Sequence, residues 1–459
     1  MKSDVKYSKL TKKYEKPLMD NLKGFVAINS VYDEKTASDK NPFGEGVSKA
    51  LKFFEDLAKK DGFKVTNYDN KVVEAILGEG KKNITIMAHA DVVPEGTGWS
   101  QDPFQIVEKK GVVYGRGVAD DKGPLLSCYY GLLALKENNL LGNYRVRFLV
   151  GGNEESGSLC MEHYFHTLKK ETPTYGFSPD SNFPVVFAEK AIMNFEVKKK
   201  VNVPGLISLK GGTAPNSVIE LCTMQIEIND DIIPFLVKNY PDADILTRDD
   251  IVNVTFHGKA AHGSTPQLGV NAGMKALKCL ADYTKNKDLQ KFVDCYSDVY
   301  GKGCRATGYS HDMGQNSLNV GLLDYKDGEI TLVVNFRFVE TCNATDLKGN
   351  IVEASRPLSV KFLGTSPLLY FKKDSPLIKT LVDAYREETG DKETQPLAIG
   401  GGTYAKETSN TVAFGLEYPG WDSKMHSVGE QIKVDALNQG MAIYARAIHS
   451  LGKLIENEN

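Results

Sequence analysis

The stretch that decides the fold is NITIMAHA (83–90), GPLLSCYYGLLALKEN (123–138) and YRVRFLVGG (144–152). The first and third are short runs rich in β-branched and apolar residues, bounded by turn formers, and read as strands; the second carries apolar residues at helical spacing. Strand, helix, strand is the βαβ rhythm, and it predicts a mostly parallel sheet with flanking helices. The rhythm stops near residue 187. Strand-like segments follow, FEVKKKVNV, MQIEIND, IVNVTFHGK, EITLVVNFRFVE and LSVKFLGT, interleaved with a helical pattern NAGMKALKCLADYTK after Pro266. From about 371 the earlier rhythm returns, with a helix near SPLIKTLVDAYREE, a glycine-rich turn IGGGTYAK, a buried strand TVAFGL and a last helix over VDALNQGMAIYARAIHSLGKL. We therefore expect one α/β domain made of 1–186 and 371–459, interrupted by an α+β insertion over 187–370.

The 459-residue length supports this division, because a single core stops growing at roughly 250–300 residues. With 41% hydrophobic and 25% charged residues the composition is that of an ordinary globular protein. Lys plus Arg number 56 against 59 Asp plus Glu, a net charge of -3, so no basic field exists to hold a polyanion and nucleic acid is excluded as a partner. No apolar run approaches the roughly 20 residues of a membrane span. The opening MKSDVKYSKLTKKYEKPLMD has no apolar stretch of the secretory kind, which predicts a cytoplasmic protein. Seven cysteines (Cys128, Cys160, Cys222, Cys279, Cys295, Cys304, Cys342) without a CxxC pair read as reduced, mostly buried thiols. No fixed-period repeat is present.

His89-Ala-Asp91 follows the run ITIMA directly, and reactive groups in open α/β sheets collect at the carboxyl ends of strands. A metal ligand with an orienting acid behind it fits this pattern; so does a strand-end histidine bonded to a nearby turn. Acids recur at other strand-to-loop junctions: Asp120-Asp121 after GRGVA, Glu154-Glu155 after FLVGGN and Asp180 after YGFSP. Carboxylates gathered in a cleft repel and raise each other's pKa unless a cation neutralises them. One divalent ion suffices for two or three acids, whereas five ligating groups predict two ions. His89, Asp120, Glu155, Asp180 and the late His426 of KMHSVGE make such a set. If Asp120 bridges, each ion receives one histidine, one further carboxylate and a share of Asp120. Imidazole favours Zn2+ and carboxylates accept Mn2+, so the ligand types leave both metals open.

HADVVP, GRGVADDKG, GGNEESGS, FSPD, GKAAHGSTP and MHSVGE, in this order across nearly the whole chain, resemble the M20 family of metallopeptidases, and within it the PepV-type, carnosinase-like bacterial dipeptidases. The resemblance implies a zinc-peptidase catalytic domain interrupted by a lid, with the same five ligands, Asp120 bridging, Glu154 as catalytic base, Asp91 behind His89 and a cis Asp120–Asp121 peptide. It implies hydrolysis of dipeptides with a free N-terminus by a metal-bridging water that Glu154 activates. The extra length of the lid implies that it imitates a partner subunit, so a monomer is expected.

In the insertion, small residues surround His262 in GKAAHGSTP. Bonding to nearby backbone would explain it; the resemblance implies instead a lid histidine that stabilises the oxyanion. Arg337 in NFRF lies on an alternating strand and either takes a substrate carboxylate or decorates a surface strand. Asn216 in APNSVIE is a similar substrate-binding candidate. Gly401 and Gly402 in the GGGTY run either present backbone N–H groups to the substrate or form a turn needing positive φ. His163, His166, His257, His311 and His449 are read as structural. An amidohydrolase acting on N-acyl amino acids, of aminoacylase or succinyl-diaminopimelate desuccinylase type, would use the same site, and a metal-dependent binding protein would need the ligands but not Glu154.

Overall fold

A computed structural model describes residues 5–458. The chain divides into two compact units, one of residues 189–368 with 399–401 and one containing the rest.

The first unit is built on a mixed sheet whose strand order is Lys64–Tyr68, Val72–Leu77, Arg145–Gly151, Asn83–His89, Tyr175–Ser178, Thr411–Ala413, Val186–Glu189 and Leu369–Tyr370. Its centre is parallel. Asn83–His89 pairs in parallel with Arg145–Gly151 on one side and Tyr175–Ser178 on the other, and Thr411–Ala413 continues the parallel set. Val72–Leu77 and Lys64–Tyr68 add antiparallel strands at one edge. All seven residues of Asn83–His89 are buried, as in a strand covered on both faces, and this is why its apolar residues do not simply alternate with exposed polar ones. The helix Lys122–Glu137 is likewise buried from Lys122 to Leu135 and packs on the C-terminal helix Val434–Asn457. Gly131 makes that packing possible: a Cβ there would stand 2.6 Å from the Met441 carbonyl oxygen. The strand TVAFGL and the last helix thus belong to the same layers as the N-terminal βαβ elements.

The second unit carries an eight-stranded sheet, ordered Asp244–Arg248, Ile251–His257, Leu221–Glu227, Leu206–Gly211, Ser317–Lys326, Glu329–Phe338, Ala191–Lys200 and Ser359–Ser366, antiparallel throughout. Leu221–Glu227 alternates exposed and buried, so one face meets the core, where Phe195, Met224, Val254, Leu277 and Phe336 pack. The helical pattern NAGMKALKCLADYTK forms where the sequence implied, and Pro266 ahead of it does not join that helix. Pro266–Leu268 is a single 3-10 turn, and the helix runs over Ala272–Thr284 because the Asn271 side chain caps it by accepting from the Met274 N–H. Residues 399–401 return to this unit, whereas the sequence reading placed them with the first domain. All seven cysteines are free, six of them buried and Cys342 half-buried. Among the described residues no helix is long and apolar enough to cross a membrane.

Candidate metal centre

His89 is the last residue of its strand and stands opposite Gly151, so the loop after Gly151, with Glu154 and Glu155, starts beside it. The Ala90 N–H donates to the Gly151 carbonyl and continues that register. The His89 ring is fully oriented. Nδ1 lies 2.9 Å from the Asp91 carbonyl oxygen, and Nε2 lies 2.9 Å from Asp120 Oδ1. Asp91 lies behind the histidine: its backbone oxygen takes the ring, with Oδ1 3.5 Å away. Its carboxylate accepts the N–H groups of Glu154 and Glu155, both at 3.1 Å. One residue thereby sets both the histidine and the Glu-Glu pair.

The second oxygen of Asp120 lies 2.8 Å from His426 Nε2, and that nitrogen is 3.2 Å from Glu155 Oε2. Asp180 Oδ2 is 3.7 Å from His89 Nε2. The Asp120–Asp121 peptide is cis, and Asp121 accepts the His89 N–H at 3.1 Å. All five expected ligands and Glu154 therefore gather in the first unit. His89, Asp120 and Glu155 can offer ligand atoms to one ion, and so can His89, Glu154 and Asp180. Glu154, expected to stand clear of the ions, is thus within reach of a ligating position. His426 is the exposed member, its side chain 55% accessible, on a loop where its own φ is +59°.

The electrostatics follow from burying several acids together. Burial, with the charge of Asp120 added, pushes Glu155 and Asp180 above the usual carboxylate range, and burial pushes Glu154 well up despite His89. Asp120 goes the other way: burial opposes ionisation, but His426 and His89 hold it low. Burial opposes charge on His426 too, yet its contacts with Asp120 and Glu155 hold it up at about 11. Burying several acids together is costly unless positive charge is brought among them, and a divalent cation held by these donors would supply it. Glu155 Oε1 is buried without a hydrogen-bond partner among the described residues, which fits a ligand atom. Two nitrogens and several carboxylate oxygens suit zinc or manganese equally.

The sequence reading passed over three residues here. The Tyr404 ring meets His89 edge-on at 6.2 Å, and its hydroxyl lies 2.9 Å from Cys160 Sγ. Arg116 and Glu430 form a buried ion pair at 2.7 Å beneath the loop that carries Asp120. Tyr404 closes the quoted GGGTY string and Glu430 the quoted MHSVGE, but neither shows in sequence what it faces.

The remaining candidates lie in the second unit, except Gly402, which belongs to the first. His262 is exposed, with Nδ1 2.6 Å from Ser264 Oγ. It sits next to Asn216, because Ser217 and His262 form an antiparallel bridge and the Gly263 N–H donates to the Asn216 carbonyl at 2.7 Å. Arg337 is 3% exposed, so a surface strand arginine is ruled out. Its Nε donates to Asn335 Oδ1 at 2.9 Å and its Nη1 to the Gly400 carbonyl. Gly400 and Gly401 do not adopt positive φ; at Gly400 a Cβ would stand 2.5 Å from that of Ser264. Close approach to the His262 loop is what requires glycine there.

The first unit is a mixed α/β scaffold that carries a buried cluster of histidines and carboxylates. The chain belongs to peptidase family M20/M25/M40, which it matches over residues 85–450. It is 33% identical over 461 aligned positions to a Staphylococcus aureus (strain USA300) protein named "Putative dipeptidase", covering 95% of this chain and 97% of that one. Among solved structures it is similar to human carnosine dipeptidase 1, with a TM-score of 0.59 at 15% identity, covering 97% of this chain and 99% of that one. The dipeptidase Dug1p of Saccharomyces cerevisiae gives a TM-score of 0.59 at 14% identity over 97% and 98% of the two chains. At these identities the two structures speak for the fold.

Proposed function

We propose that this M20 peptidase hydrolyses dipeptides with a free amino end, using two divalent cations, zinc or manganese. The observation that carries the reading is Asp120, a buried carboxylate with one histidine on each oxygen. His89 and Asp180 would hold one ion, His426 and Glu155 the other, and Asp120 both. Bound to this set, the ions would lower the pKa of water and polarise the scissile carbonyl. Glu154 takes a proton from the attacking water and passes it to the leaving amine, a role open to a carboxylate beside the ligands. Asp91 keeps His89 and Glu154 in place. His262 stabilises the oxyanion, and Arg337 takes the free carboxylate of the substrate. Asn216 and the backbone at Gly401 and Gly402 complete substrate binding. The chain works as a cytoplasmic monomer, with small peptides as its partners.

A panel of dipeptides set against N-acetyl and N-succinyl amino acids tests the substrate class. Turnover of dipeptides in preference to N-acyl amino acids is expected. The reverse preference would replace this reading with an amidohydrolase, and no turnover of either would leave a binding protein.

A further inference from the structure

Glu430 has 0% of its surface exposed, a place carboxylates rarely occupy. The segment Gly115 to Asp120 wraps around it. Its Oε1 accepts the N–H groups of Gly117 at 3.0 Å, Ala119 at 2.9 Å and Asp120 at 3.2 Å, while Oε2 faces Arg116 Nη1 at 2.7 Å. Its own carbonyl accepts the Gly115 N–H, and the next residues, Gln431–Lys433, pair with Val112–Tyr114. The wrap needs Gly117, which has φ +88° and where a Cβ would stand 2.9 Å from Val92 Cγ1. Glu430 also lies four residues after His426, in a loop closed where the Gln431 N–H donates to the Ser423 carbonyl. One side chain therefore ties the backbone of the shared carboxylate to the base of the loop bearing the exposed histidine. His89 does not depend on it, being held by its strand and by Asp91.

We propose that Glu430 is a positioning residue that locks Asp120 to the His426 loop and so sets the affinity of the ion held by Asp120, Glu155 and His426. The inference rests on the metal reading above. Loss of Glu430 leaves the first ion most of its ligands fixed, because His89 and Asp180 do not hang from this loop. The two binding steps should then weaken unequally. Partners outside the ligand set typically change metal affinity by roughly 10–100-fold.

The test is a cobalt(II) titration of the metal-free full-length chain, followed by calorimetry and by visible absorption, which reports ligand geometry at each step. Wild type should show two steps. Glu430→Gln should weaken one step by roughly 10–100-fold, with an altered cobalt band for that step, and leave the other within a few-fold. Should Glu430→Gln fail to fold, Glu430→Asp, too short to reach all three N–H groups, serves in its place and should show the same selective loss. Arg116→Lys, which leaves Glu430 its three backbone bonds, should stay near wild type. Equal weakening of both steps, or reduced stability with unchanged cobalt affinity and spectrum, would overturn the assignment. A wild-type chain that binds no cobalt would instead remove the metal reading itself, and the inference with it.

Discussion

The charged centre of the first unit and the polar patch of the second solve positioning in different ways. In the first, His89 ends a central strand, Glu154 and Glu155 follow the neighbouring strand, and Asp91 accepts the backbone N–H groups of both glutamates. Sheet register and the Asp91 carboxylate bring these groups together. In the second, Arg337 is buried and committed to Asn335 and Gly400, while His262 sits exposed on a loop near Ser264. The difference teaches where each substitution should be felt. Changes in the first unit should alter metal content or proton transfer, and changes in the second should alter substrate binding or oxyanion stabilisation with the metal content intact.

The sharpest way to break this comparison is Asp120→Ala, which should abolish hydrolysis and strip both ions, whereas Asp180→Ala should mainly empty one position. Metal analysis after dialysis decides it, and equal stoichiometry in the two variants would refute the shared carboxylate. Glu154→Gln comes next. It should lower kcat by roughly 10²–10⁴ while metal content stays at the wild-type level. His262→Ala should lower kcat by roughly 10²–10³, with metal content again unchanged; an unchanged kcat on a good dipeptide would return His262 to a local structural role. Arg337→Ala should act mainly on KM, raising it roughly 10–100-fold, as expected for one charge-assisted hydrogen bond. A dipeptide amide, lacking the carboxylate, should show little of that rise.

His89, Glu154, Glu155 and Asp180 could be singled out because each lies at or just after the end of a strand, whereas Asp120 and His426 lie in turns and stood out only through the strings GRGVADDKG and MHSVGE. The support beneath the centre was not legible. Glu430 and Asp120 are 310 residues apart, and only the folded loop shows that one carboxylate collects three N–H groups. Arg337 shows the same limit, since alternation along Glu329–Phe338 places it on a face without saying what covers that face. In the fold, strands with clean alternation were readable. Ser317–Lys326 was missed because its register shifts between Val320 and Leu322, and the intervening Gly321 breaks the alternation against Pro215, whose oxygen would stand 2.2 Å from a Cβ. The helix start at Asn271 matched the quoted pattern, while Pro266, a helix-opening residue by habit, begins only a 3-10 turn ahead of it.

The most direct test of the central claim is a titration of metal-depleted protein with zinc or manganese while hydrolysis of a good dipeptide is followed. The account predicts negligible turnover without metal and a rise to full activity that breaks at two ions per chain. Full activity in the metal-free protein, or a break at one ion, would contradict a centre in which Asp120 serves two cations.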